Sequence, residues 1–401
     1  MTRMPLIRTT LTALVLSAIA LHTRADTITD WNVKVGEVMT EAKLGTPPAM
    51  RVMAIVQTAV LDAVNAAAKR PSGRAEAIDA AVAAANRTTM LKLMPAQEAS
   101  IQAAYSVALA KVADGAAKQA GIAAGEEAAA AVLAARADDG AAAASGERYK
   151  PHTAAGVYVP TASVAVPQWP QRKPWLLKSA AQVRPAAQPA LGSAIWARDY
   201  NEVKALGGKA STRRTPEQTD IARFWEYSLP PIYTGVVRSV ALAPGRDVVR
   251  NAHLYAAVSQ AMDDSMIAVF DAKYTYNFWR PVTAIRNAEI DGNDSTELEA
   301  GWAPLVDNPM HPEYPSGHGI LAGAIGAVLK ADVGSVMPEL STSSPSAKGA
   351  TRRWTSVDEF VLEVNNARVW GGLHYRFSTE VAAAMGRQIG ELAAARHLPQ
   401  P

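Results

Sequence analysis

Three short stretches of this chain hold the residue types that acid–base and anion chemistry require. The first, "KYTYNFWRP" (273–281), sets Lys273 and Arg280 seven residues apart. At about 100° per residue that spacing predicts one helix face carrying both, two turns apart, with Pro281 ending the helix. Alone, such cations usually make surface salt bridges, and Asp263, Asp264 and Asp271 are near enough in sequence to serve. The second, "HPEYPSGHG" (311–319), predicts a helix whose first turn contains Pro315. Ser316 and Gly317 would then offer a hydroxyl and backbone N–H groups at a positive dipole end, an anion site that a residue without a side chain leaves open. His318 lies within reach of the same anion, and one histidine there cannot hold a metal cation by itself. The third, "ARVWGGLHYRFS" (367–378), ends a helix at Arg368. An unbroken helix would hold Arg368 and His374 about 120° apart, whereas Gly371 and Gly372 allow them to converge.

Composition limits what these residues can do. The 401-residue chain is long enough for two or three domains, and 49% of it is hydrophobic, so it is globular. No cysteine is present, which excludes disulfides, thiol nucleophiles and thiolate metal sites. Residues 1–25 read as an export signal: Arg3 and Arg8 precede an apolar run from Leu11 to Leu21, and Thr23 and Ala25 fit cleavage positions. The formal charge of +3 falls to zero without that segment, which carries three arginines and no acid. A neutral chain with no basic run has no electrostatic footprint for nucleic acid. No later stretch reads as a transmembrane helix, so the predicted compartment is the periplasm or the outside of the cell, with no stable membrane span.

The elements that must position the three stretches read as helices. "AMRVMAIVQTAVLDAVNAAA" (49–68) has core-facing periodicity, and the alanine-rich 75–137 reads as three antiparallel helices. The proline-studded 140–195 predicts an ordered excursion over the surface. Thr215 and Pro216 open a helix, a long one spans about 249–279, and others run from about Ser356 and from near Ser378. The expected fold is all-α, with a helical N-terminal half (26–139), the connecting segment (140–195) and a C-terminal catalytic bundle (196–401).

Lys-x6-Arg-Pro, Pro-Ser-Gly-His and Arg-x3-Gly-x-His, in that order, resemble the three-part signature of the type 2 phosphatidic acid phosphatase superfamily. That superfamily joins bacterial acid phosphatases to vanadium-dependent haloperoxidases. "NFWRPVTAIR" (277–286), "RTPEQTDIARFWEYS" (214–228) and "VPQWPQRKPW" look most similar to the bacterial haloperoxidase-like branch. The resemblance implies a haloperoxidase-like helical bundle in which Lys273, Arg280, Ser316, Gly317 and Arg368 bind vanadate or phosphate. It makes His374 the vanadium ligand or the phosphatase nucleophile, His318 the acid/base, and Lys273 the group that polarises bound peroxide. His311 matches a position where vanadium bromoperoxidases also have histidine, which points to bromide or iodide rather than chloride.

One departure stands out. Where the family commonly has an acid four residues after the third-motif histidine, this chain has Ser378. Asp220 and Glu226 are candidates to replace it in space. The implied function is oxidation of halide by hydrogen peroxide on a histidine-bound vanadate. The alternative is a phosphomonoesterase acting through a phosphohistidine, which needs no vanadium, and a non-catalytic oxyanion binder ranks third. A serine hydrolase built on Ser316 lacks the strand and G-x-S-x-G elbow it would need. Homo-oligomer formation is left open by the sequence.

Overall fold

The computed structural model describes residues 26–70, 72–143, 149–334 and 336–398. The stretch read as an export signal lies outside them. Five helices make the N-terminal half: α1 (Thr27–Glu41), α2 (Thr46–Ala67), α3 (Arg74–Leu93), α4 (Glu98–Leu109) and α5 (Ala116–Ala135). The rest follow as α6 (Ala194–Gly207), α7 (Pro216–Phe224), α8 (Pro230–Ala241), α9 (Val248–Tyr276), α10 (Pro281–Arg286), α11 (Gly317–Val333), α12 (Val357–Trp370) and α13 (Arg376–His397). The fold is the predicted helical one, with one addition. An antiparallel hairpin, β1 (Leu340–Ser344) and β2 (Ala350–Trp354), packs against α8. Its serine- and threonine-rich strands lack the apolar alternation that marks a half-buried strand, which hid it from the periodicity argument.

Helix α9 is the axis. Apart from His253 it is buried from Asn251 through Phe270, packed by α2 of the N-terminal half and by α11 and α13. One hydrophobic core therefore runs through both halves of the chain. Helix α2 is long and apolar enough to cross a membrane by length and composition, contrary to the sequence reading, but 72% of its most apolar window is packed inside the protein.

Small residues set the closest helix approach. A Cβ at Gly386 of α13 would lie 2.0 Å from the carbonyl oxygen of Ile320 on α11, and one at Gly323 of α11 would lie 2.2 Å from that of Ala383. Only glycine admits contact at that distance. Helix α7 begins as expected, with Thr215 and Gln218 forming a reciprocal capping box around Pro216.

The proline-rich segment is ordered, but it does more than cross the surface. It drives Arg172 into the interior, where the guanidinium reaches both oxygens of Asp263 at 2.5 and 3.0 Å and Asp139 at 2.8 Å. The neighbouring Asp264 accepts the backbone N–H groups of Trp175, Leu176 and Leu177 at 2.8–2.9 Å. Asp271 pairs with Arg184. The three aspartates offered as partners for Lys273 and Arg280 thus fasten the connecting segment instead.

Candidate active site

Lys273 and Arg280 do not share one helix. Asn277 adopts a left-handed conformation (φ 48°) that ends α9 at Tyr276, and Pro281 opens α10 rather than closing α9. The chain turns through this break, and both cations end up buried, Lys273 fully and Arg280 at 1% exposure. They meet on the segment between residues 311 and 313. The Lys273 ammonium donates to the carbonyls of Pro312 (3.0 Å) and Glu313 (2.7 Å). Arg280 donates to the carbonyls of His311 and Leu373 at 3.0 Å, and its Nη2 contacts His311 Nδ1 at 3.1 Å.

Helix α11 starts two residues later than expected. Ser316 is its N-cap, its hydroxyl accepting the Gly319 N–H at 3.3 Å, and Gly317 is the first helical residue. Pro315 precedes the cap and follows Tyr314 through a cis peptide bond. A Cβ built on Gly317 would meet no protein atom within 4 Å, so a side chain there would project into open cavity space.

The third segment converges as the double glycine permits. Gly372 sits at φ 78°, and a Cβ on it would lie 2.4 Å from the Gly207 carbonyl. The turn lets the Arg368 carbonyl accept the N–H groups of both Leu373 and His374. Arg368 Nη1 donates to the Trp225 carbonyl at 2.6 Å, while its Nε is buried without a partner.

Lys273, His311, Gly317, His318, Arg368 and His374 all line one cavity of about 330 Å³. Ser316 and Arg280 are buried and do not line the cavity. A cluster of aromatic side chains that includes Trp196, Phe278, Trp279, Tyr314 and Tyr375 packs tightly nearby, among the very residues that flank Arg280 and His374 in sequence.

Sequence reasoning missed the acid. Neither Asp220 nor Glu226 approaches His374 through any hydrogen bond; Glu226 pairs with Arg223 on the surface. The carboxylate comes from Glu313, wholly buried, whose Oε1 lies 2.7 Å from His374 Nδ1 and also accepts the Tyr375 N–H at 3.2 Å. Ser378 lies close enough to ease the burial of that carboxylate, although no hydrogen bond of good geometry joins them. The signal was in view: Glu313 is the one acid inside "HPEYPSGHG". The family spacing points to an acid after His374, whereas this one lies 61 residues before it.

Burial dominates the electrostatics. It pulls the Lys273 ammonium far below its usual range, and the Arg280 guanidinium adds to the effect. Burial brings Arg280 and Arg368 down to about 10. His311, His318 and His374 are all held neutral, by burial first and by the neighbouring cations second. Glu313 is pushed up to about 7 by burial, with Lys273 and Arg280 opposing. With a carboxylate at Nδ1, the His374 proton belongs on that nitrogen, which leaves Nε2 a lone pair.

The donor set suits a tetrahedral oxyanion. Three buried cations face a single carboxylate, so positive charge is left over, and desolvated charge of that kind calls for an anion. Arg368 Nε and His318 Nε2 are buried polar atoms without protein partners. Among the described residues no three His, Asp or Glu side chains gather as a cation site.

Residues 253–399 match the family model of the VCPO second helical-bundle domain. The vanadium chloroperoxidase of Curvularia inaequalis is 31% identical over a 147-residue alignment that covers 30% of this chain and 24% of that protein. The match thus spans about a quarter of that relative's length. Among solved structures, a bacterial vanadium-dependent iodoperoxidase superposes with a TM-score of 0.77 at 24% identity, covering 93% of this chain and 96% of its own. A bacterial vanadium-dependent chloroperoxidase in its holo form gives 0.74 at 18% identity, covering 88% and 93%.

Proposed function

We propose that this chain, a vanadium-haloperoxidase-like protein in fold and in its C-terminal domain, oxidises iodide or bromide with hydrogen peroxide when His374 holds vanadate. The observation that carries the reading is the meeting, around one cavity, of a carboxylate-supported histidine and three cations that outnumber the single buried carboxylate beside them. Vanadate bound there would supply Lewis acidity toward peroxide without changing its own oxidation state.

The chain's own residues divide the remaining work. Glu313 fixes the Nδ1–H tautomer of His374, so that Nε2 presents its lone pair as the ligand. Lys273, Arg368 and the Gly317 N–H hold the oxyanion from the wall, with Arg280 and Ser316 behind them. Arg280 spends most of its donors on backbone carbonyls, so it also fixes the shape of the 311–313 segment. His318, neutral and with an unpartnered Nε2, would accept a proton from hydrogen peroxide and return it. The Lys273 ammonium would stabilise negative charge that develops on peroxide oxygen at the site. His311, on the same wall, tunes the halide subsite toward bromide and iodide.

The net reaction is X⁻ + H2O2 + H⁺ → HOX + H2O. The N-terminal segment supports export to the periplasm or beyond. Small molecules are the expected partners.

A second reading draws on Glu313 as well. A buried carboxylate on His374 Nδ1 is also what a histidine nucleophile needs to attack phosphorus, with His318 protonating the leaving oxygen. The test is to assay purified protein with and without orthovanadate, following iodide and bromide oxidation in one series and aryl phosphate cleavage in the other. Vanadate-dependent halide oxidation that disappears in His374→Ala is the expected result. Phosphatase activity alone replaces this function with the second, and halide oxidation indifferent to vanadate overturns the first.

A further inference from the structure

The β1–β2 hairpin buries hydroxyl groups where a strand ordinarily buries apolar side chains. Leu340, Thr342 and Ser344 are the buried positions of β1, and Ser344 is fully enclosed. A hydroxyl taken out of water costs free energy unless it is hydrogen-bonded. The Ser344 hydroxyl donates to the Phe224 carbonyl at 2.6 Å. Ser346, exposed and two residues farther on, donates to the Arg223 carbonyl at 2.8 Å and accepts the Tyr227 N–H at 3.2 Å.

Phe224 is the last residue of α7, and the final carbonyls of a helix have no partner inside it. Two serine hydroxyls of the hairpin region therefore cap α7 from outside. The hairpin is itself seated firmly on α8. A Cβ on Gly235 of α8 would lie 2.1 Å from the Thr342 hydroxyl oxygen, and the Ser341 N–H donates to the Ser239 hydroxyl at 2.9 Å. A second tie runs through the Trp225 side chain. Its indole N–H donates to Glu363 at 3.0 Å, and Arg352 of β2 donates to the same carboxylate oxygen at 2.8 Å.

The next carbonyl along this turn reaches the oxyanion site. Trp225 follows Phe224 directly, and its carbonyl accepts Arg368 Nη1 at 2.6 Å. Among the described residues that carbonyl is the only hydrogen-bond acceptor Arg368 has, and its Nε is buried without a partner. A long side chain on one tether goes where the tether puts it. No residue of the hairpin lines the cavity.

We infer that Ser344 and Ser346 are positioning residues for Arg368. They fix the C-terminal turn of α7, and the Trp225 carbonyl of that turn aims the guanidinium at the oxyanion. The inference rests on the oxyanion-binding role proposed for Arg368 and is independent of the halide chemistry.

Inorganic sulfate serves as the probe, read by calorimetry on the full chain. Ser344→Ala and Ser346→Ala should each weaken sulfate binding about 3–30-fold. Ser346→Thr keeps the hydroxyl and should stay within about twofold of wild type. In an Arg368→Gln background, adding Ser346→Ala should change the affinity less than about twofold, because its effect passes through the arginine. A lowered melting temperature with unchanged sulfate affinity in both alanine variants overturns the inference. So does an equal loss with and without Arg368. If Ser344→Ala fails to fold, Ser346→Ala decides, since Ser346 is exposed. A wild-type protein that binds no sulfate would remove the oxyanion reading and this inference together. Absent halide oxidation, with the sulfate results as expected, would overturn the proposed reaction alone.

Discussion

Glu313 and His374 stand 61 residues apart in sequence, yet one carboxylate oxygen lies 2.7 Å from the imidazole Nδ1. A residue on the loop before α11 thus supplies the support that the position of Ser378 would have been expected to provide. Supports of this kind are worth about 10–100-fold in metal affinity.

Glu313→Gln should therefore weaken vanadate binding about 10–100-fold, measured by equilibrium dialysis, while the fold persists by circular dichroism. Glu313→Ala should do the same or worse. Adding Ser378→Asp to Glu313→Ala returns a carboxylate to the neighbourhood of His374 and should recover part of the loss. Unchanged affinity in Glu313→Gln would remove the residue from its positioning role.

Lys273 makes anion binding a proton-linked event. Burial and the Arg280 guanidinium depress its pKa, and an oxyanion held against it raises the pKa again. Sulfate does not titrate near pH 8, so sulfate binding at that pH should take up a fraction of a proton, at most about one. Calorimetry in buffers of differing ionisation enthalpy reads the uptake directly. Lys273→Gln should reduce both the uptake and the affinity, and equal uptake in the variant would contradict the assignment.

Gly386→Ala should destabilise the protein by about 1–3 kcal/mol or more, because the new methyl group would collide with the Ile320 carbonyl and push α13 away from α11. Thermal unfolding checks it. Gly192→Ala, where a Cβ meets nothing within 4 Å, is the matched control and should stay within about 0.5 kcal/mol of wild type.

His397 should contribute to acid sensitivity. Its Nε2 bonds to Gln260 at 2.8 Å, and burial, with Arg396 beside it, lowers its pKa to about 4. The folded state then binds fewer protons than the unfolded chain below the ordinary histidine pKa, so stability is lost as pH falls from about 6.5 toward 4. The group is only half-buried, which limits the effect to about 1–2 kcal/mol. Denaturant midpoints measured across that interval should fall less steeply in His397→Gln than in wild type.

The helices and the cation–histidine cluster were legible in the sequence because they rest on local rules: helical periodicity, the Thr215 cap, the helix start after Pro315, and the break at Gly372. What was illegible depended on distant pairing. The left-handed turn at Asn277 was hidden by a seven-residue spacing that fitted one helix equally well. Asp263 and Asp264, close to Lys273 in sequence, were claimed by Arg172 and by the backbone of 175–177 across nearly ninety residues. The hairpin of β1 and β2 offered too little apolar alternation to be noticed. Glu313 is illegible from the family pattern, which puts the supporting acid at the position of Ser378.

The stretch from His311 to His318 supplies a wall histidine, the carboxylate, the helix cap, the open backbone at Gly317 and a second imidazole. Its carbonyls also receive Lys273 and Arg280. Inserting or deleting a single residue there would displace all of these together. Among descendants of this gene, that eight-residue interval should keep a fixed length, while the proline-rich strap can lengthen or shorten away from Val166 and Arg172.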